Sequence, residues 1–234
     1  MRLRRRTPRR TGPRGVERTV SDADTDHADT HHTAARAGAA GGGKPALRRA
    51  LLAARAALTE DEVRRGAEAL TRHALELPEL TGARTVAAYV SVGREPDTRA
   101  LLDALRERGV RVLLPVLLPD NDLDWAAYEG ADRLSRAGRG LLEPTGRRLG
   151  PDAVTAADAV LLPGLAVDRR GARLGRGGGS YDRVLARIEA SGARPARVVL
   201  LHSGELLEGE VPVEPHDRPV HAAVTPEGVH RFTA

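Results

Sequence analysis

Residues 157–183 read ADAVLLPGLAVDRRGARLGRGGGSYDR, and the order of parts in this run decides the fold. Ala157–Leu162 is an apolar run of strand length that stops at Pro163-Gly164. A turn is expected at Asp168–Gly171, and a glycine-rich loop at Arg173–Gly179 then leads into a helix over Ser180–Ala190. A strand, a glycine loop and a helix in succession form a unit of an α/β protein. Glycines just before a helix let several backbone N–H groups converge on an anion, and the helix dipole adds to the attraction. Arg173 and Arg176 supply charge for phosphate oxygens. The spacing departs from the dinucleotide pattern GxGxxG, and no acidic residue ends a following strand. A mobile glycine loop is the plain alternative; two arginines among the glycines and the Tyr-Asp-Arg helix start argue against it.

The same alternation extends outward from this run. Towards the C-terminus, Arg197–His202 and Val220–Thr225 have strand character. Towards the N-terminus, residues 84–92 (RTVAAYVSV) read as a buried strand, Asp97–Arg108 as a helix closed by Gly109, and Val110–Pro115 and Asp124–Tyr128 as strands. Thr59 and Glu62 have capping-box spacing and open a helix reaching about Leu77. Leu47, Leu51 and Leu58 give an earlier helix one apolar face. Trp125 reads as a half-buried strand residue. Strands alternating with helices predict a three-layer α/β/α domain with a mainly parallel central sheet.

The domain is expected to span 44–234, behind a disordered basic tail at 1–43. That tail has no apolar period and cannot offset its ordering entropy by burial. It carries nine Arg against one Glu and four Asp, a net of +4 within a chain total of +5. The rest is therefore nearly neutral, which speaks against a nucleic-acid face despite a pI near 10.5. The absence of cysteine excludes disulfides, thiolate zinc and cysteine nucleophiles, and fits a reducing cytoplasm. No apolar stretch approaches the roughly 20 residues of a spanning helix. No apolar segment follows the Arg-rich start, so neither a secretory signal nor a membrane location is expected. Gly38–Lys44 (GAAGGGK) mimics a P-loop, but Pro45 stands where Ser or Thr should ligate magnesium and no strand precedes it. A flexible linker describes it better.

Five ordered pieces resemble the 5-formyltetrahydrofolate cyclo-ligase family, also called 5,10-methenyltetrahydrofolate synthetases. They are Lys44-Pro-Ala-Leu-Arg48 with Arg55 downstream, Tyr89-Val-Ser-Val-Gly-Arg-Glu95-Pro-Asp-Thr98, Gly140-Leu-Leu-Glu143-Pro144, Arg173–Arg183, and Val211-Pro-Val-Glu214-Pro-His216-Asp217. The resemblance implies an enzyme that joins ATP and 5-formyltetrahydrofolate, with magnesium, to give 5,10-methenyltetrahydrofolate, ADP and phosphate. Its partners would be small molecules. Position by position, Lys44 and Arg48 resemble the family's N-terminal phosphate contacts. Arg173, Leu174, Gly175, Arg176, Gly177, Gly178, Gly179, Ser180 and Tyr181 resemble its ATP loop, with Arg173, Arg176 and Tyr181 nearest the chemistry. Val90 and Glu95 resemble folate contacts, and Asp182 and Asp217 the magnesium carboxylates. Two positions depart from the pattern: Ser180 replaces an aromatic that could stack, and Glu205 stands where a Gln is common. Two other readings stay open at this point. One is a silent relative that binds nucleic acid through its tail. The other is an ATP-dependent enzyme for a different N-formyl compound.

Deleting residues 1–43 while keeping Lys44 is expected to leave turnover and melting temperature unchanged. A large loss in either, measured side by side with the full chain, would show that the tail packs on the domain.

Overall fold

The computed structural model describes residues 43–233. The expected disorder of the tail and the glycines of the P-loop mimic before Gly43 lie outside those residues. Helix α1 (Gly43–Ala57) turns Leu47, Leu51, Ala54 and Arg55 inward on one face. Thr59 caps α2 (Glu60–Leu75) with the full capping box: its hydroxyl accepts from the Glu62 N–H, and the Glu62 carboxylate accepts from the Thr59 N–H. A one-turn α3 (Pro78–Thr81) begins on proline, whose fixed φ suits a first turn. Helix α4 (Arg99–Glu107) ends before Gly109, and α5 spans Ser180–Ala190.

The central sheet has seven strands: β1 (Thr85–Ala87), β2 (Arg111–Leu117), β3 (Leu123–Ala127), β6 (Ala159–Pro163), β9 (Ala196–Leu200), β11 (Ala222–Thr225) and β12 (Gly228–Arg231), ordered β12-β11-β9-β6-β1-β2-β3. The five inner strands run parallel, and β3 and β12 are antiparallel edges. Successive residues of a strand face opposite sides. Val86, Val112, Leu161 and Val198 therefore join α2, α3 and α4 on one face, while Ala87, Leu113, Val160 and Val199 join α5 on the other. With few aromatics, both cores are built from Leu, Val and Ala, and the three-layer expectation holds.

The structure corrects two details. Trp125 is fully buried rather than half-buried. Although β3 is an edge strand, α5 and a 3-10 turn at Pro151–Ala156 cover that face, placing Trp125 among Val154, Val184 and Leu185. The strand expected over 84–92 pairs in the sheet only over Thr85–Ala87, for a reason that belongs to the site. Five short strands carry too little apolar pattern to be read from sequence: the hairpin of β4 (Leu134–Arg136) with β5 (Leu142–Pro144), and the trio β7 (Ala166–Asp168), β8 (Arg173–Leu174) and β10 (Leu206–Leu207).

That trio forms a second small sheet, and α1 lies against it through Leu47, Leu51, Leu165, Leu174, Leu207 and Val211. One buried ion pair locks the junction. Arg55 Nε and Nη2 donate to the two carboxylate oxygens of Glu205 at 2.6 and 2.8 Å, and Nη2 also donates to the Gly164 carbonyl at 2.5 Å. The Glu205 carboxylate further accepts from the His202 N–H at 2.8 Å. Both side chains are at most 3% exposed.

Removing one partner of such a pair strands a charge away from water, which costs about 3–5 kcal/mol. Glu205→Ala is expected to lose stability of that order in urea unfolding, and Glu205→Gln, which keeps an acceptor, to fall between it and wild type. Equal stability of all three proteins would refute a clamping role.

Candidate functional site

In the sheet order, chain direction reverses its progress between β1 and β6, because β1 leads outward to β2 while β6 leads outward to β9. The crevice at the carboxyl ends of strands on either side of such a point is where open α/β sheets collect ligands. Beyond Ala87 the chain stays extended and buried but leaves the ladder. The Thr98 hydroxyl, at the start of α4, donates to the Tyr89 carbonyl at 2.8 Å and accepts from the Ser91 N–H at 3.0 Å. One side chain thus replaces a neighbouring strand and shortens β1. Further along the same segment, the Glu95 carboxylate accepts from the Val92 N–H at 2.9 Å, which fixes it at the crevice wall.

On the β6 side, Gly164 lets the chain turn tightly: a Cβ there would lie 2.6 Å from Val199 Cγ2. The hairpin β7–β8 then reverses at Asp168. Its buried carboxylate accepts from the N–H groups of Arg170, Ala172 and Val211 and from the Arg170 guanidinium. The turn directs Arg173 into the crevice. Arg173 is 7% exposed; it donates to the Pro163 carbonyl and to Asp182 Oδ1, both at 3.0 Å, while its buried Nε has no partner. Burial pulls its pKa down, against the pull of Asp182 and other anions. Gly177 has φ of 92°, and a Cβ would crowd the Arg48 guanidinium at 3.2 Å. Arg48 in turn donates to the Gly175 carbonyl at 3.0 Å, joining α1 to the glycine loop. No side chain caps α5 from Gly179, so its first N–H groups remain available to an anion.

These elements enclose one cavity of about 570 Å³. Every residue singled out from the sequence lines it: Lys44 and Arg48 from α1, Val90 and Glu95 beyond β1, the whole run Arg173–Asp182, and Asp217. They divide by charge. Lys44 Nζ sits between Asp217 and Glu214 at 2.7 and 2.8 Å. Burial lowers the Lys44 pKa, but hydrogen bonds to those two carboxylates outweigh it and hold the ammonium charged. Burial raises the Asp217 pKa, and the bonds from Lys44 and the Glu214 N–H overcome this and hold it below the usual range. Arg176 is half exposed, with Nη1 3.6 Å from Glu95. Cations from α1 and from the glycine loop are thus paired with carboxylates lining the same cavity, the distribution expected of a site for phosphate groups and a cation.

Sequence reasoning missed three contributors. Tyr89 is 4% exposed and lines the cavity, yet its hydroxyl has no hydrogen-bond partner. The Tyr181 hydroxyl is likewise buried without a partner, and burial, with Glu95 nearby, pushes both phenols up and keeps them neutral donors. Buried polar groups normally find partners, so two open phenols in a cavity are groups for a ligand. The alternation of the strand, with Tyr89 next to Val90, was the available signal. Glu214 and His216 are the other two: with Asp217 they place one ligand atom each within 4.8 Å of one another. Asp182 is drawn to Arg173 on another wall and is not part of that group.

Comparisons with known proteins identify the family and the fold. A sequence profile of the 5-formyltetrahydrofolate cyclo-ligase family matches residues 40–226. The 5-formyltetrahydrofolate cyclo-ligase of Mycolicibacterium smegmatis is 43% identical over 189 residues, covering 79% of this chain and 94% of the relative. That of Escherichia coli is 34% identical over 177 residues, covering 75% and 95%. The solved structure of Aquifex aeolicus 5,10-methenyltetrahydrofolate synthetase superposes with a TM-score of 0.70 at 29% identity, covering 82% of this chain and 93% of that one.

The Asp168 turn generates a pH prediction. Burial pushes its carboxyl up, but the Arg170 guanidinium and three backbone N–H groups outweigh this and depress it. A depressed carboxylate stabilises the fold above its unfolded pKa, about 3.9, and that stabilisation disappears as pH falls through the lower folded value. Asp168→Asn is therefore expected to be less stable than wild type by about 2–3 kcal/mol at pH 7. In urea unfolding the gap should hold down to about pH 5 and close below the ordinary carboxylate range. A gap that does not narrow in acid would mean that the charge is not what holds the turn.

Proposed function

The chain belongs to the 5-formyltetrahydrofolate cyclo-ligase family, and from that premise we propose that it closes 5-formyltetrahydrofolate to 5,10-methenyltetrahydrofolate while converting ATP to ADP and phosphate. The observation that carries this reading is the single cavity in which a phosphate-type glycine loop meets the end of β1. The reaction needs two substrates in contact, and a loop for one beside a strand end for the other provides that.

The chemistry explains the arrangement. A formamide oxygen is a poor leaving group. Attack of that oxygen on the γ-phosphorus of ATP breaks the bond to ADP and leaves an N5-iminium carbon bearing phosphate. N10 then attacks this carbon, loses its proton, and phosphate departs with the C–O bonding pair. Little of this requires covalent help from the protein; positioning and charge neutralisation suffice. Lys44, Arg48 and Arg173, with the backbone of Leu174–Tyr181 and the start of α5, are suited to hold the phosphates. Arg173 is the strongest candidate for the transferring group, because its buried charge and open Nε gain most from an anion. Arg176 can move from Glu95 to a phosphate oxygen. Val90, Glu95 and Tyr89 are suited to the pterin, whose ring N–H groups would meet the Glu95 carboxylate. Tyr181, neutral and buried, can donate near the reacting centre. Ser180 offers no stacking face where relatives have an aromatic, so ring contacts fall to the apolar wall instead.

Magnesium fits the donor set. Asp182 and Asp217 offer hard oxygen ligands on walls of the same cavity, each balanced by a cation, and Glu214 adds a third carboxylate beside Asp217. Bound there, magnesium would neutralise and orient phosphate oxygens. ATP binding would also give the Lys44 ammonium a third anion beside Asp217 and Glu214, drawing it from Asp217 and opening that carboxylate. No helix among the described residues is long and apolar enough to cross a membrane, and we place the enzyme in the cytoplasm.

The test is absorbance of the methenyl product from 5-formyltetrahydrofolate, with and without ATP. One ADP per product is expected, with turnover abolished by EDTA and restored by magnesium. Arg173→Gln should lower kcat by about 10²–10³ with a folded protein. Product without ADP, or full rates in EDTA, would overturn the reading.

A further inference from the structure

The strand order divides the cavity laterally. Four of its lining cations, Lys44, Arg48, Arg173 and Arg176, come from α1 and the loop beyond β6, on one side of β1. On the other side lie β2 and β3, which contribute Pro115, Leu117 and Leu123; the β4–β5 hairpin adds Leu141 and Leu142. This flank is an apolar trough, and it holds one lining cation, Arg139.

Two features mark Arg139. Its φ is 60°, in the left-handed region that a side chain adopts at a cost. Its guanidinium donates to a neutral partner, the Oδ1 of Asn121 at 2.9 Å, and Asn121 is itself left-handed with φ of 65°. Three of the four cations on the other flank, Lys44, Arg173 and Arg176, face a carboxylate, while Arg48, like Arg139, donates to a neutral oxygen. The carboxylate on this flank, Glu143, is engaged by the Leu117 N–H at 3.0 Å and by Arg148 at 3.9 Å. Arg139 thus lines the same cavity as the apolar residues of this flank, on a hairpin anchored to β2, with no carboxylate partner among the described residues.

We propose that Arg139 is a specificity residue for the substrate: its guanidinium holds a carboxylate of the p-aminobenzoylglutamate tail of the folate. This rests on the function proposed above. With the pterin at the end of β1 and the phosphates on the β6 side, the rest of the folate must cross β2 and β3. Its aromatic ring suits the trough of Pro115, Leu117, Leu123, Leu141 and Leu142. Its terminal carboxylates then meet the cation of that flank. The left-handed turn places Arg139 there, and strain of this kind persists where surrounding contacts determine the conformation.

The experiment compares 5-formyltetrahydrofolate with 5-formyltetrahydropteroyl amide, the same ring system ending in a neutral amide with no carboxylate, on wild type, Arg139→Gln, Arg139→Lys and Arg139→Gly. The glycine variant removes the charge while relieving the left-handed backbone, so a folding defect cannot account for its behaviour. For the full folate, Gln and Gly should raise KM about tenfold, the loss of one part-exposed charge-assisted hydrogen bond, with Lys in between. Values of kcat and of KM for ATP should stay within about twofold. With the amide, all four proteins should behave alike. Unchanged KM for the folate in the glycine variant, or equal losses on both substrates, would overturn the inference while the proposed function stands. Absence of methenyl product from wild type would overturn both.

Discussion

A guanidinium that barely reaches water sits where α1, the end of β6 and the loop after β9 meet, and the site hangs from it. Arg55 is held by both oxygens of Glu205 and by the Gly164 carbonyl. Each contact fixes something the cavity uses. The helix that carries Arg55 also carries Lys44 and Arg48. Gly164 is the last turn before the hairpin that aims Arg173. Glu205 begins the segment that leads, through β10, to Glu214 and Asp217. A buried pair of this kind adds little net stability over an apolar pair of the same volume, because desolvation offsets much of the attraction. What it adds is geometry, since only one arrangement satisfies both charges. The Glu at position 205 makes that arrangement a bidentate ion pair.

The charges around the cavity follow the same principle of held opposition. Lys44 with Asp217, Arg173 with Asp182 and Arg176 near Glu95 are pairs that the proposed binding of an anionic nucleotide would reorganise. Pairing keeps the free protein from presenting a field of unbalanced cations next to a nearly neutral globule. It also means that binding exchanges partners rather than creating charge contacts from nothing, which moderates the desolvation cost.

Much of this was legible in the chain. The inner strands and all the longer helices followed from apolar periodicity, and the capping box placed α2 correctly because Thr59 and Glu62 satisfy a local backbone need. The glycine loop could be read because its function demands particular residue types in order. The short hairpins could not, since β7, β8 and β10 owe their pairing to tertiary contacts with α1 and not to their own pattern. Trp125 looked half-buried because an edge strand normally has one wet face; a 3-10 turn nearly thirty residues later covers it. Tyr89 was overlooked for a related reason: a tyrosine in a buried strand is ordinarily core, and only the missing partner of its hydroxyl marks it as something more. Individual positions matched the cavity well, yet Glu214 and His216 needed the folded turn to bring them beside Asp217.

The Lys44–Asp217 contact has a consequence for how the enzyme comes into being. These two residues stand 173 positions apart. On a ribosome adding about 5–20 residues per second, the helix bearing Lys44 leaves the exit tunnel many seconds before its carboxylate partner exists. Throughout that interval α1 has no β10 and no Val211 to cover Leu47 and Leu51. The earlier strands can pair and be covered in turn, but the cavity wall built from Lys44 and Asp217 must wait for nearly the whole chain. Contacts of such long sequence separation close late, so the catalytic cavity is assembled at the end of folding, and a nascent chain released early would hold a sheet without a working site.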